Sequence, residues 1–283
     1  MKRIAIMMAV LGVSVLSYGQ DKPAAQGTAP AAAQAAAAPG KRPPQAKTQP
    51  EFEAYKAGIA LTDAGAQEKA ADDFASKFPQ SELRVVLYKA AMQKYMQVNN
   101  GEKTLEMGQK AIALDGDDPE ALVGVAQVLT ERTKDTDLDK DQKLAEAKKD
   151  AEHALVTVDT DVPTAGYPPE KIDLFKRYMQ SEAYAILGTL ASNAEKYPEA
   201  ETALRKSIEV FPEQVDSVAV LRLAIVLDKQ NKTTEALKYA NQAVDLTKDH
   251  PESGAGKAAR AEQDRLTKLN SGTAPGQGTG TPK

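Results

Sequence analysis

Four aspartates at alternate positions, Asp135-x-Asp137-x-Asp139-x-Asp141, with Glu146 eleven residues after Asp135, come nearest to a metal site in this chain. Oxygen ligands at that spacing converge on a hard cation in the calcium loop D-x-[DN]-x-[DN]-G-x5-E. The sharp turn of that loop needs glycine, and here Lys140 stands in its place; Gln142 replaces the usual apolar residue, and Lys134, Lys140 and Lys143 neutralise the acids locally. The expectation is a solvated loop between two helices that does not require calcium. His153 and His250 are the two imidazoles, and there is no cysteine. Thiolate metal sites, disulfides, Cys nucleophiles and a lipidated Cys anchor are therefore excluded. His153, two residues after Ala151, is expected near the core seam of its helix, and His250, just before Pro251, at a helix exit. Neither has the neighbouring ligands that a metal centre needs.

No G-x-S-x-G or comparable nucleophile setting appears among the many Ser and Thr residues. Gly276-x-Gly278-x-Gly280 has neither strand nor helix beside it, so it is no nucleotide loop. Acids interleaved with lysines, as in Glu146-Ala147-Lys148-Lys149-Asp150, read as a wet helix face with i,i+4 pairs rather than as an acid–base dyad. No catalytic residue, cofactor or metal is expected, and the chain is read as a binding protein rather than an enzyme.

The charge balance narrows the class of partner. The 283 residues carry a net charge of −4; residues 1–50 contribute +5 and residues 271–283 contribute +1, which leaves −10 for residues 51–270. An acidic body argues against nucleic acid as a partner. Aromatic residues make up 5% of the chain and sit on core spacing, away from the basic residues with which base stacking would be shared.

Met1-Lys2-Arg3, the 13-residue apolar run Ile4 to Leu16, and the small residues Ser17 and Gly19 match a secretory signal peptide cut after Gly19. A membrane-spanning helix needs about 20 apolar residues, so an uncleaved anchor is not expected. The mature protein is expected in the periplasm or the medium, with no stable membrane insertion. Residues 20–50 are almost wholly Ala, Pro, Gln, Gly, Thr and Lys, and Pro30 and Pro39 bracket the Ala run 31–38. They read as a flexible linker, and residues 271–283 as a similar tail.

The body between them shows apolar residues at 3–4 spacing, broken about every 15 residues by Pro, Gly, Asn or Asp. Pro-Glu occurs at 50–51, 119–120, 169–170, 198–199, 212–213 and 251–252. Proline suits a first helical turn, where its missing N–H is not needed, and Glu there favours the positive end of the helix dipole. About eleven helices follow from these starts. They fall into like pairs. Tyr184-x2-Leu187-Gly188-x2-Ala191 precedes Ala200-x3-Leu204-x2-Ser207 and Pro212, with 12 residues from Gly188 to Ala200 and 12 from Ala200 to Pro212. The frame recurs at Val220-x2-Leu223-Ala224 with Ala236-x3-Ala240, and at Tyr88-x2-Ala91-Met92 with Thr104-x3-Gly108. A fourth instance, Leu122-x2-Val125-Ala126 with Ala147-x3-Ala151, has a turn nine residues longer.

This pattern resembles the tetratricopeptide repeat, W-x2-L-G-x2-Y then A-x3-F then P. Here Tyr or an aliphatic stands for the Trp, and Thr104 and Gly116 replace the usual Ala and Pro. The resemblance implies an all-α, right-handed solenoid of about five helix pairs plus a C-terminal capping helix. The expected organisation is a degenerate leading pair (51–84), four repeats (85–118, 119–161, 181–214, 217–250) and a capping helix (251–270). Small residues such as Gly188, Ala200 and Ala224 would let paired helices approach closely, and no pair would bury its face alone.

The resemblance further implies a concave groove lined by the first helix of each pair and a protein or peptide partner. Function is then expected to be that of an exported interaction scaffold in envelope assembly, secretion or division; a carrier or regulatory module for an envelope polysaccharide or peptidoglycan enzyme is the alternative. The matching groove positions are Lys89, Gln93, Gln127, Thr189, Asn193, Val218, Leu221 and Ile225. Val218 to Leu227 is apolar except for Arg222. Its second apolar side (Val218, Leu221, Ile225) is expected either to line the groove or to lie under the capping helix.

Overall fold

A computed structural model describes residues 41–164 and 166–271. The expected signal peptide, residues 20–40 of the linker and residues 272–283 of the tail lie outside the described residues. Those described form eleven α-helices and no strand. They divide into two compact units, with the boundary between Met179 and Gln180.

The first unit contains α1 (Gln49–Ile59), α2 (Ala64–Lys77), α3 (Leu83–Gln97), α4 (Gly101–Leu114), α5 (Pro119–Arg132), α6 (Lys140–Thr157) and the start of α7 (Pro169–Asn193). Capping explains most of the starts. The side chains of Thr48, Asp63, Asn100 and Asp118 accept N–H groups from the first turns of α1, α2, α4 and α5. Phe74, Leu87, Ala91, Met92, Met107, Ala111 and Ala121 form a buried core that runs from pair to pair. Leu87 and Phe74 are large, whereas the alanines and Gly108 are small; a Cβ on Gly108 would lie 2.5 Å from Val125 Cγ2. Large residues fill the seam because small ones let the backbones approach.

The second unit contains the end of α7, then α8 (Tyr197–Val210), α9 (Ser217–Lys229), α10 (Thr233–Leu246) and α11 (Gly254–Asn270). Ala200, Leu204, Leu223, Ala224, Leu227, Ala236 and Ala240 are its core, and Leu266 of α11 packs into the same cluster. Gly188 does here what the repeat pattern asks of it. A Cβ at that position would lie 2.6 Å from Leu204 Cγ and 3.2 Å from the Leu204 backbone nitrogen.

Three helix pairs share one turn. Asn99, Glu195 and Asn231 each take a positive φ, of 59°, 57° and 59°. The next residue's N–H then reaches back to Tyr95, Ala191 and Leu227 respectively, at 2.9, 2.9 and 3.0 Å. This is a left-handed helix C-cap, which satisfies otherwise orphaned carbonyls at a sharp exit.

The structure differs from expectation in several places. Four of the six Pro-Glu pairs open α-helices (α1, α5, α7 and α8), but Pro212-Glu213 lies in a 3-10 turn and Pro251-Glu252 in the turn ahead of α11. There, Asp216 and Ser253 are the capping residues. Helix α7 is a continuous 25 residues, beginning well before the position 181 expected for its repeat. His153 is not at a core seam: its side chain is 40% exposed, and Nε2 lies 2.7 Å from Asp117 Oδ1. Residues 41–48, expected within the flexible linker, lie against the first unit, because their basic side chains find carboxylates there (described below).

Candidate functional site

The first unit holds a concave groove of about 190 Å³. The first helices of successive pairs build its walls: Phe52, Tyr55 and Ile59 from α1, Leu83, Val85, Val86 and Ala90 from α3, and Phe175 from α7. The loop before α7 adds Val162, Pro163 and Tyr167. Tyr55 is 7% exposed, yet among the described residues its hydroxyl makes no hydrogen bond. Burial, with the neighbouring Tyr167, pushes its hydroxyl pKa up to about 12. It stays a neutral donor in the groove wall.

The polar part of the wall is an ion triad. Lys89 Nζ lies 2.7 Å from Asp118 Oδ2 and 3.0 Å from Glu120 Oε2, with all three side chains largely buried. Burial acts to discharge the lysine, but the two carboxylates outweigh it and hold its pKa above the ordinary lysine value. Gln93 donates to the other Glu120 oxygen, which completes the set.

Two further carboxylates, Asp115 and Asp161, line the groove, and Glu82 precedes its wall residue Leu83; the cations of all three come from the segment ahead of α1. Lys41 Nζ bonds Asp115 at 2.6 Å and lies 3.4 Å from Asp161, while the Lys41 N–H donates to Thr160 O at 3.0 Å. Arg42 Nη2 bonds Glu82 Oε1 at 2.5 Å. Pro43 and Pro44 then line the cavity, and Lys47 Nζ donates to Gln80 O at 3.2 Å. Residues 41–46 form no helix or turn. They are an extended basic strap lying across an acidic, apolar-floored groove.

Of the eight groove positions expected from the sequence, the structure brings Lys89 and Gln93 together in this groove. Gln127 bonds Glu131 and lines a separate small cleft with Met96, Gly101 and Arg132. The remaining five lie in the second unit. Thr189 is buried; it donates to Ala185 O and accepts from Arg222 Nη1 at 2.8 Å. Asn193 is exposed and Val218 half-buried. Leu221 is 7% exposed, in a cluster with Val220, Ala243 and Ala259 of α11, whereas Ile225 is 37% exposed. The capping helix therefore accompanies burial of Leu221 and leaves Ile225 open.

The acidic loop does not converge on a cation position. Lys140 Nζ bonds Asp135 at 2.7 Å, and Lys143 Nζ lies 2.9 Å from Asp139 and 3.5 Å from Asp137. Among the described residues no three His, Asp or Glu side chains gather as metal ligands. No described helix is long and apolar enough to cross a membrane.

Sequence reasoning missed the strap and the rim it contacts. The available signal was charge: Lys41, Arg42 and Lys47 are three of the six basic residues among the first 50, and they sit beside an acidic body.

No protein-family model and no curated protein sequence matches the chain. Among solved structures, the APC/C hetero-tetramer Cut9-Hcn1 is similar over 77% of this chain and 37% of that one, with a TM-score of 0.51 and 17% identity. That likeness is one of fold. MamA protein (17% identity, 72% of this chain and 97% of that one, TM-score 0.48) is similar more loosely. So is a thermophilic TPR protein of Thermus thermophilus, TTC0263 (13% identity, 77% and 98%, TM-score 0.46).

Proposed function

We propose that this chain, which folds as a tetratricopeptide-repeat helical solenoid, is an exported scaffold that holds a protein partner in the groove of its first unit. The observation that carries the reading is the groove itself. Its apolar walls are open and edged with carboxylates, and Tyr55, a largely buried residue, lines it. An open apolar concavity with a few convergent polar groups is what a peptide or helix needs for burial and orientation. The fold by itself would not establish this, because one fold hosts many functions. Export is supported by the basic start, apolar run and small residues of Met1 to Gly19. A role in cell-envelope assembly, secretion or division extends that reading.

The test is photo-crosslinking in intact cells, with the crosslinker placed either at Val86 in the groove wall or at Val156, which is 75% exposed on α6 away from the groove. A discrete protein adduct at Val86 and its absence at Val156 is the expected result. Identical adducts at both positions, or none at Val86, would sink the reading.

A further inference from the structure

The strap and the groove match each other in three independent ways. Among the described residues, the ion pairs of Asp115, Asp161 and Glu82 are all with cations of the strap. Pro43 and Pro44 hold the chain extended, since proline fixes φ and lacks the N–H that a helix would use. They lie against the apolar wall that holds Tyr55, Val85 and Val86. The backbone takes part as well, through the Lys41 N–H to Thr160 O at 3.0 Å and the Gln45 N–H to Glu82 Oε2 at 3.4 Å.

The hold is nevertheless light. Arg42 and Glu82 are both exposed, and exposed ion pairs contribute little and are screened by salt. The groove is not filled: about 190 Å³ remains open with the strap in place. A segment tethered next to its own site acts at an effective concentration of roughly millimolar, so a weak strap still occupies the rim.

We infer that the groove of the first unit is built for an extended, proline-containing cationic segment of a partner polypeptide, and that residues 41–47 are an internal stand-in which the partner displaces. The inference rests on reading the groove as a binding site, and adds to it the chemistry of the ligand and the device that limits access. The partner's basic side chain takes the place of Lys41 between Asp115 and Asp161. Its apolar neighbours reach past the prolines into the open volume, where Tyr55 donates to its backbone. Lys89 balances one of the two charges on Asp118 and Glu120, and the carboxylates whose cations come from the strap, Asp115, Asp161 and Glu82, are the ones a displacing basic segment would meet.

The test is a binding titration of a labelled synthetic peptide, Lys-Arg-Pro-Pro-Gln-Ala-Lys, against the full chain and against the full chain carrying Lys41→Glu and Arg42→Glu. Both substituted side chains are exposed or half-exposed, and circular dichroism establishes that the variant folds. If the strap occupies the rim about nine-tenths of the time, the variant binds the peptide about tenfold more tightly than wild type. Adding Asp115→Asn and Asp161→Asn abolishes the gain, and a peptide beginning Glu-Glu binds neither protein. Equal binding by wild type and variant, or no binding by the variant, overturns the inference. Sedimentation provides a further check. A wild-type dimer that the strap variant dissociates would mean that the strap serves a second copy of this chain, which also overturns the partner assignment. A partner adduct at Val86 together with failure of the basic peptide leaves the scaffold reading standing and removes only this one; absence of both removes both.

Discussion

Lys89 Nζ lies 2.7 Å from Asp118 Oδ2, and the other oxygen of that carboxylate accepts the Ala121 N–H at 3.0 Å. One aspartate thus neutralises a buried lysine and caps α5. This couples the wall of the groove to the start of the helix that supports it.

Replacing Lys89 by Met keeps the aliphatic stem but leaves Asp118 and Glu120 facing each other without a cation. Breaking a buried ion set from one side costs about 3–5 kcal/mol. The thermal midpoint of Lys89→Met should therefore fall sharply at pH 7.5. Part of the loss should be recovered near pH 5, because two buried carboxylates left without a cation take up a proton more readily in the folded state than in the unfolded one. A midpoint unchanged at pH 7.5 would show that the triad contributes nothing to stability.

The shared left-handed turn supplies a second prediction. Asn99 and Asn231 suit a positive φ, whereas Glu195, at 57°, has a longer side chain that cannot bond back to its own backbone in the same way. Glu195→Asn or Glu195→Gly should stabilise the protein by about 1 kcal/mol, provided the other turns are left intact. Asn231→Ala should move stability in the opposite direction by a similar amount. Urea midpoints at constant m-value would check both, and a destabilised Glu195→Gly would refute the argument.

How much was legible in the sequence follows from which forces were local. Helix number and pairing were readable because capping residues, Pro-Glu starts and the Gly188-to-Ala200 spacing act within a few residues, and Gly188 lies against Leu204 as that spacing requires. The positive-φ turns were less readable, since Glu195 gives no sign of the conformation that the turn imposes on it. The strap was not legible because its partners are remote: Lys41 meets Asp115 across 74 residues, and composition alone casts residues 41–47 as linker. Two of the second-unit groove positions are closed off for a related reason. Leu221 and Thr189 have the right spacing, but Leu221 is buried in the α9–α11 cluster and Thr189 is bonded to Arg222, so neither faces an open surface.

Gln67 on α2 offers a third prediction. It is 0% exposed, and among the described residues neither its amide oxygen nor its amide nitrogen has a hydrogen-bond partner. An unbonded buried amide costs on the order of 1–3 kcal/mol relative to a bonded one. Gln67→Met, similar in length and free of that cost, should raise the denaturation midpoint, and Gln67→Leu should do so less because its branched shape fits the slot worse. A destabilised Gln67→Met would show instead that the amide is bonded in solution.

The last prediction concerns pH and Asp150 on α6. This carboxyl is 9% exposed. Burial, and then the charge of Glu146 one turn earlier, push its pKa up from 3.8 to about 6, while Lys149 and His153 pull weakly the other way. In the unfolded chain those influences vanish and the group titrates near the ordinary value. Between about pH 4 and pH 6 the folded state therefore holds a proton that the unfolded state has released. The contribution of Asp150 to stability must fall as pH rises through that window and then level off, because at this group the folded state binds more protons than the unfolded one. Asp150→Asn keeps the shape and removes the titration. Its thermal midpoint should exceed wild type at pH 7.5 and match it near pH 4, with the difference opening between those limits. The other carboxylates titrate in both proteins and cancel in that difference, so an Asp150→Asn gain that is the same at pH 4 and pH 7.5 would show that Asp150 is not the group responsible.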